Sequence, residues 1–234
     1  MAFDSKTFKT RALTATVFVI VMLAGLLWNR WSFIILFTII HFGCWYEFVK
    51  LLKKIHPKRL GYYLPLGLLY ISFPVIIMIN FGFPGASNWL YQKRYEDAFQ
   101  YSPVLPCGII FSIWINDTMA YIVGSLIGKT SLSVISPNKT WEGTIGGALL
   151  CVVTIGLTGN ATGYYNFKNW GIIASCCAVF GTIGDLLESK LKRMANVKDS
   201  GTLMPGHGGF LDRFDSFLVA TPFVALYYYL FINR

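Results

Sequence analysis

Apolar residues occur in long runs separated by short polar segments along the whole chain. Seven of these runs approach the roughly 20 residues that a helix needs to cross about 30 Å of hydrocarbon. The predicted spans are 12–28, 31–49, 63–83, 103–124, 143–159, 169–187 and 215–232. Pro65 and Pro74 predict a kink in the third span. The pattern therefore predicts an all-α fold, a polytopic integral membrane helix bundle of about seven transmembrane helices.

The composition agrees with a membrane protein. Hydrophobic residues make up 55% of the chain and charged residues 13%, whereas soluble domains carry about 25% charged residues. The cysteines lie mostly inside apolar runs and form no CxxC pair, so we expect free thiols that pack like small hydrophobic side chains. They are Cys44, Cys107, Cys151, Cys176 and Cys177.

The net charge of +9 comes from basic residues placed between the apolar runs. This placement favours anionic lipid headgroups and phosphorylated ligands as partners, and not nucleic acid. Loops rich in Lys and Arg stay in the cytosol. With the N-terminus in the cytosol and the C-terminus outside, most of the 20 Lys and Arg residues lie on the cytosolic side.

The acidic residues are concentrated in the C-terminal half. Seven of the 11 lie in or beside two cytosolic segments, namely Asp117, Glu142, Asp185, Glu188, Asp199, Asp212 and Asp215. A carboxylate inside an apolar span, such as Asp117, costs several kcal/mol unless it is paired or lines a cavity. We interpret Asp117 as functional, with a structural ion pair as the alternative.

The richest stretch is 189–215, which combines three kinds of group. Phosphates need cations and exposed backbone amides, while Mg²⁺ needs a few carboxylates. Candidate anion binders are Lys192, Arg193, Lys198 and Arg213; candidate cation ligands are Asp199, Asp212 and Asp215; and a Gly-rich turn surrounds His207. Both halves of a nucleotide site are therefore present.

Helical spacing adds a geometric expectation. Asp185, Glu188, Ser189 and Lys192 follow an i, i+3, i+4, i+7 pattern, which places them on one face at the end of the sixth span. If this end meets the start of the seventh span, Asp185 and Asp212 can share metal ions. The alternative is a solvated interfacial face with salt bridges.

Residues 189–215 resemble the sequence pattern of the phosphatidate cytidylyltransferases, the CDP-diacylglycerol synthases. The pattern contains Lys-Arg, Lys-Asp, His-Gly-Gly and Asp-Arg-apolar-Asp at the spacing found here. A second block is similar to the same family. This block comprises Asn116–Tyr121, Gly124, Gly128, Lys129 and Ser136–Gly143. The two blocks together extend the resemblance over about 114–220.

The resemblance implies transfer of a cytidylyl group from CTP to phosphatidate, for phospholipid biosynthesis. It also implies Mg²⁺ dependence, a homodimer, and a cavity open to cytosol and lipid. We expect the site to leave room for a second metal ion. CTP, phosphatidate and membrane lipids are the expected partners, without nucleic acid. We expect an integral protein of the bacterial inner (cell) membrane whose active site faces the cytosol.

Roles for single residues follow from this chemistry, which needs positioning and charge neutralisation more than a general base. His207 could bind a phosphate oxygen or protonate the leaving pyrophosphate. Expected catalytic residues are Asp185, Asp212, Lys198, His207 and Arg213; substrate-binding residues are Lys139, Lys192, Arg193, Ser136 and Asp199; metal ligands are Asp185, Asp212, Asp215 and Asp117. Residues 1–102 would supply N-terminal transmembrane helices and 103–234 the catalytic transmembrane region of a single membrane domain.

Several interpretations stay open at the level of sequence. Another CTP-using lipid enzyme, such as a polyprenol kinase or a CDP-archaeol synthase, is one alternative function, and an anion transporter is a second. Trp114, Tyr121 and Trp141 are able to stack on a base or to anchor the chain at the interface. The GxxxG spacing of Gly124 and Gly128, and of Gly143 and Gly147, predicts close helix packing.

Overall fold

The computed structural model describes residues 5–83, 100–202 and 208–233, with side chains from residue 12 onward. The helices are α1 (Ser5–Leu27), α2 (Arg30–Ile55), α3 (Leu60–Phe81), α4 (Val104–Ile127), α5 (Trp141–Ala161), α6 (Phe167–Met194) and α7 (Leu211–Ile232). Within this part of the chain, α2 to α7 are long and apolar enough to cross a membrane, and the apolar part of α1, Ala12–Leu27, is shorter. The expectation of an all-α polytopic membrane bundle is confirmed.

Polar side chains determine where several helices begin. The Asn29 side chain accepts hydrogen bonds from the amides of Trp31 (2.8 Å) and Ser32 (3.0 Å) at the start of α2. Thr140 caps α5 and Asn166 caps α6 in the same way, each accepting from the amide three residues on. These bonds satisfy amides that have no partner inside the helix.

The third span is irregular, as its prolines predict. Pro65 and Pro74 flank a π-helical segment, Leu68–Ser72, that interrupts the α-helical pattern. Proline removes a backbone donor and crowds the preceding turn, so a change of helix type between two prolines follows from their chemistry.

Helices α4 to α7 pack closely on one another, while α2 and α3 pack against α7. Small residues permit the closest contact, since a Cβ atom at Gly143 or Gly147 of α5 would overlap the backbone of Gly124 or Ala120 of α4. The GxxxG interpretation is confirmed, with both helices in one chain. All five cysteines are free thiols, as expected.

Candidate active site

The two motif blocks meet on one side of the bundle. Successive helices that cross a membrane run in opposite directions, so the end of α4, the start of α5, the end of α6 and the start of α7 lie together. Between them is a cavity of about 600 Å³. Seven of the expected site residues line it: Asp117, Ser136, Lys139, Asp185, Asp212, Arg213 and Asp215.

A short hairpin between α4 and α5 fixes the position of Lys139. Ser131 and Thr140 form an antiparallel bridge, and the Leu132 amide donates to the Lys139 carbonyl at 2.7 Å. The Glu142 carboxylate holds the other side of the hairpin by accepting from the Thr130 amide at 3.1 Å. The backbone that carries Lys139 is therefore anchored on both sides.

Lys139 and Asp185 form an ion pair across the cavity. Ser189, one turn further along α6, donates from its hydroxyl to the other oxygen of Asp185 at 3.3 Å. Asp185 is about 29% exposed, as is Lys139. Both groups can therefore be reached by a ligand in the cavity.

Lys192 joins α6 to α7. Its Nζ atom lies 2.5 Å from Glu188 Oε2 and 2.6 Å from Asp212 Oδ1. Glu188 is fully buried, and an unpaired buried carboxylate would be strongly destabilising. Lys192 thus holds two carboxylates, one of which borders the cavity.

Asp212 receives further hydrogen bonds at its second oxygen, Oδ2. The donors are the Ser200 amide at 2.9 Å, the Ser200 hydroxyl at 2.8 Å and the Gly209 amide at 2.7 Å. Gly208 adopts a φ of 81°, and a Cβ atom there would contact the Asp212 carboxylate. The glycine therefore allows the loop to approach this side chain.

Sequence reasoning did not single out Glu47 of α2. Its side chain is 2% exposed and accepts from the Phe210 amide (2.9 Å), the Leu211 amide (2.9 Å) and the Ser200 hydroxyl (2.7 Å). The available signal was a carboxylate inside an apolar span, the same signal that drew attention to Asp117.

Not every expected site residue that the structure describes lines the cavity. Arg193, Lys198 and Asp199 are exposed at the end of α6 and in the segment that follows it. His207 lies outside the described residues. Trp114 and Tyr121 line the cavity, where their rings are within reach of a ligand, whereas Trp141 does not line it.

The donor set fits a hard divalent cation, which prefers oxygen ligands. Beside the cavity carboxylates, Asn116 Oδ1 is buried and has no hydrogen-bond partner among the described residues. In the described part of the chain, no three His, Cys, Asp or Glu side chains are grouped closely enough to hold a metal ion. The ammonium groups of Lys139 and Lys192 form ion pairs with Asp185 and Asp212, respectively.

Fold and site together define a membrane-embedded helix bundle with a charged cavity at one face, suited to phosphorylated ligands. Residues 95–231 match the cytidylyltransferase family, and the chain belongs to that family.

Curated relatives include three proteins named phosphatidate cytidylyltransferase. The protein of Staphylococcus saprophyticus is 50% identical over 113 residues, which are 47% of this chain and 43% of that protein. Those of Staphylococcus haemolyticus and Staphylococcus aureus are 48% and 47% identical over the same length and shares. The matched stretch thus covers less than half the length of these relatives.

Proposed function

We propose that the protein transfers a cytidylyl group from CTP to phosphatidate, giving CDP-diacylglycerol and pyrophosphate. The observation that carries this proposal is the meeting of both motif blocks at one cavity, with cationic and carboxylate side chains on its wall. Cations suit phosphates, and carboxylates suit the metal ion that accompanies a triphosphate. Family membership and the names of the relatives support the choice of substrates.

In this reaction, a phosphate oxygen of phosphatidate forms a bond to the α-phosphorus of CTP. The bond from that phosphorus to the oxygen bridging the α and β phosphates breaks, and the electron pair leaves with pyrophosphate. A phosphate monoester has a second pKa of about 6, so the nucleophile is already largely a dianion at neutral pH. A protein base is therefore not required, and the protein must mainly position two anions and neutralise their charge.

The cavity residues suit these tasks. Lys139, Arg213 and Ser136 would bind phosphate oxygens, and Lys139 would exchange its partner Asp185 for a phosphate when substrate arrives. Lys192 keeps Asp212 oriented and adds positive charge behind it. The exposed cations Arg193 and Lys198 would attract the lipid phosphate or the triphosphate from the cytosol.

Further assignments belong to the same proposal. His207 would contact a phosphate oxygen or the leaving pyrophosphate, and Asp199 would orient the neighbouring cations.

Magnesium fits the same wall. Asp117, Asp185, Asp212 and Asp215 are the candidate ligands, and they would have to draw closer together as substrate displaces Lys139 from Asp185. Asn116 would add a neutral oxygen donor, with room for a second ion. When bound, the ion supplies positive charge that stabilises the triphosphate and the pyrophosphate formed from it. These four aspartates would keep that charge beside the reacting phosphates.

The proposal extends to the setting of the protein. The protein is an integral membrane protein, and the distribution of Lys and Arg supports a cytosolic active site in a bacterial inner membrane. Phosphatidate would reach the cavity from the bilayer and CTP from the cytosol. We further propose a homodimer, in keeping with the family resemblance.

A substrate panel tests the function. Purified protein is incubated with CTP and Mg²⁺ together with phosphatidate, a polyprenol or an unsaturated archaeol phosphate, and the lipid products are separated. We expect CDP-diacylglycerol with phosphatidate and no product with the polyprenol. Phosphorylated polyprenol would indicate a kinase, preference for the archaeol lipid would indicate that synthase, and anion flux into vesicles without any product would indicate a transporter.

A further inference from the structure

The start of α7 lacks a capping side chain of its own. Phe210 occupies the position where Ser, Thr, Asp or Asn usually accepts from the first amides, and it makes no side-chain cap bond. Those amides would be unsatisfied in a buried setting, which is costly. The cap comes instead from α2, because Glu47 accepts from the amides of Phe210 and Leu211.

The surroundings of Glu47 are shaped to admit its carboxylate. A Cβ atom at Gly201 or Gly209 would contact the Glu47 carboxylate, and one at Gly43 would contact the Phe210 ring. Gly43 and Glu47 are four residues apart on α2 and so lie on the same face. Glycines on both sides therefore let α2 approach the loop before α7.

Ser200 connects this cap to the cavity. Its hydroxyl lies 2.7 Å from Glu47 Oε2 and 2.8 Å from Asp212 Oδ2. The two carboxylates therefore share the single proton of this hydroxyl as acceptors. Asp212, Arg213 and Asp215 all lie in the first turns of α7. Any shift of this helix start would move all three side chains relative to Lys139 and Asp185.

We propose that Glu47 is a positioning residue for the cytidylyl transfer inferred above, holding the start of α7 and, through Ser200, the carboxylate of Asp212. Glu47 does not line the cavity between α4 and α7, and it lies outside residues 95–231, which match the family. The N-terminal helices therefore contribute to the reaction as well as to membrane insertion. This inference rests on the proposed function.

Two substitutions test it in the full-length purified protein. Glu47→Gln keeps the volume but turns one acceptor into a donor, which must face the amide of either Phe210 or Leu211. Ser200→Ala removes only the bridge. We expect kcat with CTP and phosphatidate to fall about 10- to 100-fold in Glu47→Gln, since small misplacements of this kind cost up to that much. The KM for CTP should stay within about twofold, because the groups that bind phosphate remain.

Asn29→Ala is the matched control, because it removes a helix cap at the opposite end of α2. It should lower the melting temperature and leave kcat per folded molecule unchanged. In Ser200→Ala, kcat should fall about tenfold, and the double variant should be no worse than Glu47→Gln, since both changes break one network.

Several outcomes would overturn the inference. One is a Glu47→Gln protein that resembles Asn29→Ala, with a lower melting temperature but normal kcat. Multiplying losses in the double variant would also overturn it. If Glu47→Gln does not fold, Ser200→Ala decides, and a normal kcat there refutes the positioning role. Absence of turnover in the unmodified protein would instead refute the proposed function.

Discussion

The aspartates around the cavity differ in their partners. Asp185 faces Lys139, and Asp212 faces Lys192 together with Ser200 and Gly209. Each aspartate is therefore held by a lysine, and Asp212 is held by three hydrogen bonds as well.

Replacing either carboxylate by its amide tests the shared centre. We expect Asp185→Asn and Asp212→Asn each to lower kcat by about 10²- to 10³-fold, the usual scale for removing one preorganised charge. The Asp185→Asn/Asp212→Asn double variant should be little worse than either single one, as happens when residues act as a unit. The measurement is turnover per folded molecule, with size-exclusion profiles to establish folding. Independent, multiplying losses would show that the two carboxylates serve separate centres.

The acid side of the pH profile tests whether a protein base is needed. Activity should rise as pH increases through about 6, where phosphatidate loses its second proton and becomes the dianionic nucleophile. The rise should persist in His207→Gln at reduced height, and it should move when a phosphonate analogue with a different second pKa replaces phosphatidate. A rise that ignores the analogue and disappears in His207→Gln would identify a histidine base.

The positions of site residues were predictable where a charge stands in a recognisable motif. Asp117, Lys139, Asp185 and Asp212 were named from sequence, and all four border the cavity. Glu47 was missed because its partners are more than 150 residues away, and no local pattern joins them.

Helix α4, which carries Asp117, packs closely on α5, the helix that begins just after Lys139. Gly147 lies against the backbone of Ala120, three residues from Asp117, with no room for a methyl group. The two helices can approach closely because α5 is small at this position.

Gly147→Ala should therefore destabilise the protein by about 1–3 kcal/mol, the usual cost of overpacking. Gly61→Ala is the control, because no atom lies within 4 Å of a Cβ atom there, and it should be neutral or slightly stabilising. Thermal unfolding in detergent measures both. Equal melting temperatures for the two variants would contradict the close contact.

Element boundaries followed well from the apolar pattern, because hydrocarbon thickness fixes helix length. Several observed helices are longer than the predicted spans, because charged residues continue the helix past its apolar part. Helix α6, for example, extends to Met194. The hairpin bridge between Ser131 and Thr140 was not predicted. Its pairing depends on Glu142 and on the approach of α4 to α5, which the sequence pattern alone does not contain.

At the scale of the whole molecule, the proposed function needs both charged connections on one side of the membrane. The fold provides this, since the connections after α4 and α6 border one cavity. The connection after α2, which carries Lys58 and Arg59, belongs to the same side by helix alternation.

Single cysteines test this arrangement. Replacements at Lys54 and Lys198, both exposed, should react with a membrane-impermeant reagent only from the cytosolic side, and one at Asn166 only from outside. The native cysteines are buried or half-buried, and the unmodified protein measures their background. Labelling of Lys54 and Lys198 positions from opposite sides would contradict the topology.

The overall arrangement was predictable as a set of spans with an orientation, but not as contacts between distant helices. Sequence placed the two motif blocks on one side, and the structure brings them to one cavity. The contact of α2 with the start of α7 depends on Gly43, Gly201 and Gly209. Their role becomes visible only in the packed structure, because each faces a residue that is distant in sequence.

The most direct test of the central claim follows the phosphorus atoms of CTP. Purified protein is given phosphatidate and CTP labelled at either the α- or the γ-phosphate, and the lipid and aqueous phases are counted. Cytidylyl transfer predicts that the α label enters the lipid and that the γ label appears in pyrophosphate, in equal amounts. Entry of the γ label into the lipid would show phosphoryl transfer and would contradict the account.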